Sequence, residues 1–368
     1  MLPCIALVGA PFDQGHTHGQ AARDRVRHNI DLYFRRFAHE GLGRDEALAR
    51  AAAYWPVIQA ANPAYARGVE GVAAGAGVPL LEAVMLNVRY EILYDRFNAN
   101  ALLPEYATDR LIDGCTAFAA LPGMTADGHL LTGQNWDWIP EAQGLILRCG
   151  AAPGSDQPSR LCFTEAGIVG GKFGLNSAGL GLTINGLSTL DDAWARLAKP
   201  FHVRCYEILC QRELDAATAV ATAGPYSCSA NFLIAQAGCG AVDVEASPGA
   251  VRVVGQERDL LVHTNHFLDP EEMAIDETPH QRRPYSVCRR DRLGVLLQAD
   301  RPITVAAVQE ALRDHDQYPY SLCRHEDEAA PEHDRFKTVA SVVMDLDERR
   351  MWVTDGPPCE GEFVEYEL

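Results

Sequence analysis

The chain has 368 residues, of which 47% are hydrophobic and 22% are charged. This composition excludes disordered, collagen-like and coiled-coil proteins, and the length allows a sizeable core. The formal net charge of −18 argues against nucleic acid and anionic membranes as partners, because the chain lacks a basic stripe that would neutralise phosphates. No apolar run reaches the length of a membrane-spanning helix.

The cysteine content points to a reducing compartment. The eleven cysteines are an odd number without paired spacing, which is typical of free thiols in a cytosol and not of a disulfide framework. The N-terminal residues have no basic region before an apolar run, so we predict no signal peptide. Arginine outnumbers lysine by 29 to 3, a bias that GC-rich codons produce. We therefore predict a bacterial, cytoplasmic protein.

The first hundred residues are predicted to be helical. One helix is indicated by apolar residues at helical spacing, namely Val26, Ile30, Tyr33, Phe34 and Phe37. A second helix is predicted from Asp45 with interruptions at Pro56 and Pro63, because proline disturbs a helix interior. A third is predicted over residues 80–93.

From about residue 111 the pattern changes to short apolar or alternating runs separated by Gly, Pro and Asp, which predict strands. The first strands are predicted over 116–122, 129–138, 144–150 and 160–166. The later elements are predicted as a hairpin over 172–186, helices over 201–214 and from Asp215, strands over 231–255, a long connection over 269–286, a helix from Thr304 and a hairpin turning at Asp345–Arg349. This order favours sheets covered by helices over a βαβ array.

Gly114-Cys115 is the strongest local feature for chemistry. A cysteine that begins a strand after the least hindered residue suits an intramolecular N-to-S acyl shift, because glycine tolerates unusual backbone angles. Hydrolysis of the thioester would free the α-amine of Cys115, which could serve as the base for its own thiol. The alternative is a buried structural cysteine after a turn glycine.

Phosphate and metal sites are not predicted. Residues 167–173 resemble a phosphate loop, but the first glycine is misplaced and Phe173 stands where Ser or Thr is needed. Cys205 and Cys210 are five residues apart on a predicted helix and lack a second pair. The close histidine pairs lack a third ligand. We expect no metal and no cofactor.

Seven segments, in order along the chain, resemble the acyl-coenzyme A:isopenicillin N (6-aminopenicillanic acid) acyltransferase family, peptidase family C45, of the N-terminal-nucleophile hydrolase superfamily. They are LNVRYEI, DGCTAF, LTGQNWDW, GLNSAGLGLTIN, SANFLIAQ with VEASP, TNHF and TVASVVMDL. Together they extend from about residue 86 to residue 346. The resemblance therefore covers most of the chain.

The resemblance implies an α+β fold, a four-layer αββα sandwich in which helices cover two antiparallel sheets. It also implies one domain, 1–368, made as a precursor that cuts itself between Gly114 and Cys115. The products would be an N-terminal fragment, 1–114, and a catalytic fragment, 115–368, which stay associated.

The same resemblance implies the catalytic residues. Cys115 would be the nucleophile, and Asp137 would hold its ammonium group and steer protons. Asn265 would donate to the oxyanion, with the backbone N–H of Trp138 and, from more distant relatives, Asn185. Without the family, Asp137 would be interpreted as a turn residue and Asn265 as a loop residue.

Other polar residues receive secondary roles. Thr116 and Ser341 could assist the acyl shift or bind substrate, although either is also an ordinary strand residue. A Cys-His dyad with His266 is disfavoured, because the implied base is the free amine. We interpret the remaining polar residues of these motifs as structural, namely Asn87, Arg89, Glu91, Asn231 and Glu245.

The predicted function is a self-processing cysteine amidohydrolase or acyltransferase that cleaves a small N-acyl amide through a Cys115 thioester. We favour hydrolysis, because no coenzyme A pocket is evident, although Arg282 and Arg283 could bind a coenzyme A phosphate. The alternatives are a coenzyme A-dependent N-acyltransferase of the penicillin-biosynthesis type, a non-catalytic binding protein that keeps the fold, and a metal-dependent hydrolase. The expected partners are the substrate and the chain's own cleaved fragment.

Overall fold

The protein is described here as a computed structural model that covers residues 1–101, 114–151, 153–254, 259–278, 284–299 and 301–368. The helices are α1 (Pro11–Ala21), α2 (Arg23–His39), α3 (Arg44–Ala61), α4 (Pro63–Ala76), α5 (Leu80–Asn87), α6 (Arg89–Ala101), α7 (Phe201–Leu209), α8 (Leu214–Thr222), α9 (Pro284–Ala299) and α10 (Val305–Ala311). Short 3₁₀ turns lie at Trp194–Arg196 and Glu332–Asp334.

The strands are β1 (Cys4–Leu7), β2 (Thr116–Ala120), β3 (Leu131–Trp138), β4 (Gly144–Cys149), β5 (Arg160–Glu165), β6 (Phe173–Asn176), β7 (Leu180–Gly186), β8 (Ala230–Gln236), β9 (Gly240–Ala246), β10 (Val251–Val254), β11 (Leu260–His263), β12 (Lys337–Asp345), β13 (Arg350–Val353) and β14 (Val364–Glu367). Within the described residues they form two sheets. The first sheet has the order β1-β4-β5-β6-β7-β8-β9-β10, and the second has the order β11-β2-β3-β12-β13-β14.

The sheets are antiparallel except at one edge. β1 pairs with β4 in parallel, which departs from the prediction of two antiparallel sheets. A parallel pair needs a long crossover, and the helices α1–α6 between these two strands provide it.

Two apolar layers hold the sheets and helices together. Between the sheets, Trp136 of the second sheet packs on Phe163 of the first at 5.3 Å between ring centroids. On the outer face of the second sheet, Phe118 packs in a separate cluster with Leu293 of α9 and Val308 of α10. Helices α7 and α8 contact the outer face of the first sheet. The predicted four-layer αββα arrangement is confirmed.

Helices α2, α8 and α10 lie where the sequence predicts. The residues predicted to form the inner face of α2 are all buried. Helix α4 starts at Pro63, is capped by the Asn62 side chain and ends at Gly77, whose φ of 62° favours glycine. Helix α10 is capped by Thr304, as predicted. No helix in the described ranges is both long and apolar enough to cross a membrane.

Four element predictions were wrong in detail. Helix α3 continues through Pro56, which is exposed, so the carbonyl that loses its hydrogen bond faces water. The helix predicted over 80–93 is two helices that break at Val88. Helix α7 ends at Leu209, before the predicted end. Helix α9 begins inside the predicted connection over 269–286, of which residues 279–283, with Arg282 and Arg283, lie outside the described residues.

Candidate active site

Cys115 lies immediately before β2, at the point where the helical half of the chain gives way to the sheets. Its side chain is buried, with 2% of its surface exposed, and it belongs to the main core cluster. Its Sγ lies 3.9 Å from the backbone oxygen of Asp137 in β3. Strand pairing between β2 and β3, with Thr116 opposite Asn135, sets this approach.

Gly114 packs closely against two charged side chains. A Cβ atom added at Gly114 would lie 2.6 Å from Oδ2 of Asp137 and would also meet the guanidinium of Arg324. Real Cβ atoms essentially never come so close, so only glycine fits without a shift of these groups. The glycine before the cysteine is therefore required here by close packing.

Arg289, which the sequence analysis did not identify, binds the backbone on both sides of the Gly114–Cys115 peptide bond. Its Nη1 donates to the Gly114 oxygen, to the Cys115 oxygen at 2.9 Å and to Oγ1 of Thr116 at 2.8 Å. Its Nη2 donates to Oδ1 of Asn265 at 3.1 Å. The guanidinium is almost fully buried, so it is a strong donor at the peptide bond predicted to be cut.

The two predicted asparagines are connected to this backbone in different ways, Asn185 directly and Asn265 through Arg289. Asn185, at the end of β7, donates through Nδ2 to the Cys115 oxygen at 3.1 Å. Asn265 follows β11 and donates through Nδ2 to the Gly186 oxygen at 3.0 Å. The structure thus brings Asn185 into direct contact with Cys115 and connects Asn265 to Cys115 through Arg289.

Asp137 is fully buried at the end of β3. Its Oδ1 accepts a hydrogen bond from Oγ1 of Thr338 at 2.7 Å. The same threonine oxygen accepts from the backbone N–H of Arg324 at 3.0 Å. A charged carboxylate needs such donors when it is removed from water, and these two residues orient it toward Gly114.

The other predicted residues differ in their distance from the cysteine. Thr116 of β2 contacts Arg289, as described above. Ser341 lies in β12, two strands away from Thr116, because Asn135 of β3 pairs with both residues. Trp138 donates through its indole N–H to the Tyr33 hydroxyl at 2.7 Å. The Asp137 oxygen, which faces the Cys115 thiol, and the Trp138 N–H belong to the same peptide group. Because the C=O and N–H of a trans peptide point in opposite directions, the Trp138 N–H points away from the thiol.

A buried ionic cluster lies under Trp138. Glu165 accepts from Nε of Arg89 at 3.1 Å and from Nζ of Lys172 at 3.1 Å. Burial raises the pKa of the Glu165 carboxyl, but the Arg89 and Lys172 charges outweigh it and bring the pKa down to about 2. Burial lowers the pKa of Lys172 to about 8 despite Glu165. The Arg89 guanidinium lies 4.8 Å from the Trp138 ring centroid, so the cluster supports that wall of the site.

The histidines nearby have partners other than the thiol. His266 lies 2.8 Å from Oγ of Ser286, and burial lowers its pKa to about 3. His263 lies 2.9 Å from a Glu245 oxygen. Asn231 donates to Asn185 at 3.3 Å, so a residue predicted to be structural holds the Asn185 side chain in place.

The geometry is suited to nucleophilic attack on an acyl carbon. A buried thiol, a carboxylate beside the preceding glycine, a guanidinium on the glycine carbonyl and side-chain amides around them are the groups that acyl transfer through a thioester needs. This arrangement supports enzymes that transfer or hydrolyse acyl groups as the class of protein.

Comparison with known proteins places the chain within that class. Residues 124–359 match the family described as Acyl-coenzyme A:6-aminopenicillanic acid acyl-transferase. The chain belongs to this family, and it is an enzyme. It is also 29% identical over 364 residues to the acyl-coenzyme A:6-aminopenicillanic-acid-acyltransferase 40 kDa form of Emericella nidulans, covering 96% of this chain and 92% of that protein.

Two solved structures are among the similar ones. Penicillin V acylase from Agrobacterium tumefaciens is 14% identical with a TM-score of 0.46, covering 66% of this chain and 83% of that one. The N-acylethanolamine-hydrolyzing acid amidase ortholog of Caenorhabditis elegans is 14% identical with a TM-score of 0.43, covering 63% of this chain and 93% of that one.

The Emericella relative is fungal, so the bacterial source indicated by the arginine bias stays a prediction.

Proposed function

We propose that the protein is a self-processing cysteine amidohydrolase that cuts its own Gly114–Cys115 bond and then cleaves small N-acyl amides through a Cys115 thioester. Membership of an acyltransferase family supports processing of acyl groups. The observation that carries the proposal is the guanidinium of Arg289 on the carbonyl oxygen of Gly114. That oxygen gains negative charge when a thiol attacks the peptide carbon, and a buried cation beside it stabilises the charge.

In the first reaction, the Sγ of Cys115 attacks the carbonyl carbon of Gly114 and the C–N bond breaks. The Cys115 nitrogen takes up the proton that the thiol gives up and becomes a free amine, while Gly114 becomes the acyl part of a thioester. Water hydrolyses the thioester, which leaves a carboxylate on Gly114 and restores the thiol. The products are fragments 1–114 and 115–368, which stay together as one folded domain.

In the second reaction, the free amine of Cys115 is the base for its own thiol. Asp137, whose carboxylate lies against Gly114, holds the amine in its protonated form when the thiolate attacks. The substrate carbonyl takes the place that the Gly114 carbonyl leaves, within reach of Arg289, which Asn265 holds through its Oδ1. Donation to the oxyanion by Asn265 stays a prediction, because its Nδ2 is bonded to the Gly186 oxygen. The amine of the substrate departs with a proton from the Cys115 ammonium, and water releases the acid.

The remaining predicted residues act around this centre. Asn185 holds the Cys115 backbone oxygen and so fixes the nucleophile. Oxyanion donation by the Trp138 N–H stays a prediction, because in the uncut chain this N–H points away from the thiol. Thr116 helps to place Arg289, whereas Ser341 serves the strand. No cofactor enters either reaction.

The test is the capture of an acyl group on Cys115. The self-cut protein is incubated with simple N-acyl amides, including an N-acylated 6-aminopenicillanic acid, quenched in acid and weighed by intact-mass spectrometry. We expect an acyl adduct on fragment 115–368 and release of the amine. Cys115→Ala removes both, whereas Cys149→Ala, at another buried thiol in β4, keeps both. Amide cleavage that survives Cys115→Ala contradicts the proposal.

Acyl transfer from coenzyme A is the second candidate, favoured by the name of the Emericella relative. It predicts that an acyl-coenzyme A thioester acylates Cys115 and that 6-aminopenicillanic acid then takes the acyl group. The same mass measurement, repeated with that thioester, distinguishes transfer from hydrolysis. Formation of the free acid alone, with no N-acyl product, assigns hydrolysis.

The setting of the reaction is proposed on the thiols. All eleven cysteines lie in the described part of the chain, and none of them is in a disulfide. A reducing compartment protects a thiol nucleophile from oxidation, so we place the enzyme in the cytoplasm. Its partners are the small N-acyl amide and the N-terminal fragment cut from its own chain.

A further inference from the structure

Four metal-ligating side chains meet beside Arg324, whose neighbours in the chain, Cys323 and His325, are two of them. The ligand atoms of His315, Cys323, His325 and Cys359 all lie within 4.8 Å of one another. They come from two segments, the irregular one between α10 and β12 and the one between β13 and β14. The sequence analysis predicted no metal and missed this group, since its members are scattered over 45 positions of the chain.

Four of the six distances between these atoms are close to the edges of a tetrahedron around one ion, and the other two are within 4.8 Å. Nε2 of His325 lies 3.1 Å from Nε2 of His315 and 3.3 Å from Sγ of Cys359. Sγ of Cys323 lies 3.6 Å from Nε2 of His325 and 3.5 Å from Sγ of Cys359. Zinc bonds of about 2.3 Å to sulfur and about 2.05 Å to nitrogen give tetrahedral edges of roughly 3.3–3.8 Å.

A disulfide does not account for this geometry. A disulfide bond brings two sulfur atoms to about 2.05 Å, and those of Cys323 and Cys359 are 3.5 Å apart. Hydrogen bonds alone would not require two imidazole nitrogens and two sulfur atoms to converge on one point. Two thiolates and two neutral imidazoles in a tetrahedron are the donor set that zinc prefers.

The surroundings support a built site. The backbone N–H of Cys323 donates to the Asp314 oxygen at 3.0 Å, and that of His325 donates to the Pro319 oxygen at 3.0 Å. Nδ2 of Asn135 in β3 donates to the Leu322 oxygen at 2.7 Å, which ties the loop to the sheet. Nδ1 of His325 lies 3.5 Å from a Glu360 oxygen, the kind of carboxylate partner that orients a ligating imidazole.

We propose that His315, Cys323, His325 and Cys359 bind one structural zinc ion. Four protein ligands leave no open position, so the ion does not act on substrate. It joins the irregular segment to the C-terminal one and fixes the residue next to Cys323, which is Arg324. Since Arg324 packs against Gly114, the ion would hold Arg324 in place beside the peptide bond proposed to be cut. Only this effect on the candidate active site rests on the proposed self-cleavage.

The test measures metal on the full-length protein. Protein purified without added metal or chelator is expected to carry about one zinc per chain by elemental mass spectrometry. Cys323→Ser and Cys359→Ser are expected to lose it, whereas the control Cys239→Ser, at an exposed thiol in the turn between β8 and β9, keeps it. Cobalt(II) in place of zinc should give thiolate-to-metal charge-transfer absorption in the wild type and in Cys239→Ser only.

If the cysteine variants fail to fold, His315→Ala tests the site instead, because it alters an exposed side chain. It is expected to bind zinc at least tenfold more weakly in competition with a chelator, with unchanged circular dichroism. A wild-type protein without zinc that takes up none on titration overturns the proposal. So does a Cys323–Cys359 disulfide in the peptide map, or alkylation of these two thiols in folded, zinc-treated protein as fast as at Cys239.

Discussion

At the residue scale, the chemistry centres on the Gly114 carbonyl and its contact with Arg289. A guanidinium offers several donors in a fixed plane, and this one reaches two consecutive backbone oxygens and the Thr116 hydroxyl. In the proposed self-cleavage it would polarise the peptide bond to be cut. In the proposed amide cleavage the same donors would face the substrate carbonyl.

Replacing Arg289 should therefore slow self-cleavage. Loss of one oxyanion donor in a dry site costs about 10²–10³ in rate, and we expect Arg289→Ala to reach that range. Arg289→Lys keeps the charge but not the fork, so it should recover only part of the rate. Cleavage is followed by intact mass over time after a rapid purification.

Arg290→Ala is the matched control, because Arg290 is the next residue on α9 and pairs with Asp291. It should cut at the wild-type rate. Equal rates for Arg289→Ala and wild type would show that the guanidinium holds the backbone without helping the reaction.

Gly114→Ala tests the close packing before the nucleophile. The added methyl group would lie 2.6 Å from Oδ2 of Asp137, so Gly114, Asp137 or Arg324 must move. We expect folded protein with self-cleavage slowed by at least tenfold. Gly123→Ala, where a Cβ would meet nothing within 4 Å, should cut normally, and a normal rate for both variants would refute the packing argument.

The sequence predicts some residues of the site and misses others for a physical reason. Cys115, Asp137, Asn185 and Asn265 lie in ordered motifs at the ends of strands, and the structure brings them together. Arg289 lies on α9, a helix that the sequence analysis did not predict and of which only the first residues fall in the connection predicted over 269–286. Its signal is the spacing of the buried positions on that helix, Ser286, Arg289, Leu293 and Leu297.

At the element scale, α9 carries the site through its packing on the second sheet. Leu293 is fully buried in the cluster between α9, α10 and the sheet, one turn beyond Arg289. Ser286 at the start of the helix accepts from the backbone N–H of Asn265 at 2.9 Å. The helix therefore positions both a cation and an asparagine.

Leu293→Ala should reduce stability and self-cleavage together. Truncation of a buried leucine costs about 2–5 kcal/mol, and the loosened helix would misplace Arg289. Val295 is 61% exposed on the same helix, so Val295→Ala should change stability by less than about 0.5 kcal/mol. Chemical denaturation and the cleavage rate are the measurements, and a stable, fully active Leu293→Ala would contradict this role of α9.

Elements with a clear period are those that the sequence predicts well. The alternating runs of β2, β3 and β12 and the apolar face of α2 depend on local pattern alone. The continuation of α3 through Pro56 and the parallel pairing of β1 depend on exposure and on a distant strand. Neither the exposure of Pro56 nor the pairing partner of β1 can be read from a short stretch of sequence.

At the scale of the whole molecule, buried charges join the two predicted fragments. Arg89 of α6 pairs with Glu165 of β5, and Asn29 of α2 donates to the Ala166 oxygen at 3.0 Å. Glu91 accepts from the backbone N–H of Phe201. These contacts would keep fragment 1–114 bound after the cut.

The same buried carboxyls predict how stability depends on pH. Burial raises the pKa of Glu91 from 4.5 to about 7, against hydrogen bonds that lower it. Between these values the folded state holds a proton that the unfolded state has lost, so stability falls as pH rises through this window. The loss amounts to up to about 3 kcal/mol from this one group.

Glu91→Gln keeps the size and shape of the side chain and removes the carboxyl group that titrates. Its denaturation free energy should fall less than that of the wild type between pH 4.5 and 7. Glu271→Gln, at an exposed side chain, should follow the wild-type curve. A Glu91→Gln curve parallel to the wild type would show that Glu91 does not titrate in this window.

The most direct test of the central claim is the denaturing intact mass of freshly expressed wild type beside Cys115→Ala. The wild type should give two fragments, 1–114 and 115–368, and Cys115→Ala a single uncut chain. A wild type that stays whole through long incubation would contradict self-cleavage, because Cys115 would then lack the free amine that serves as its base.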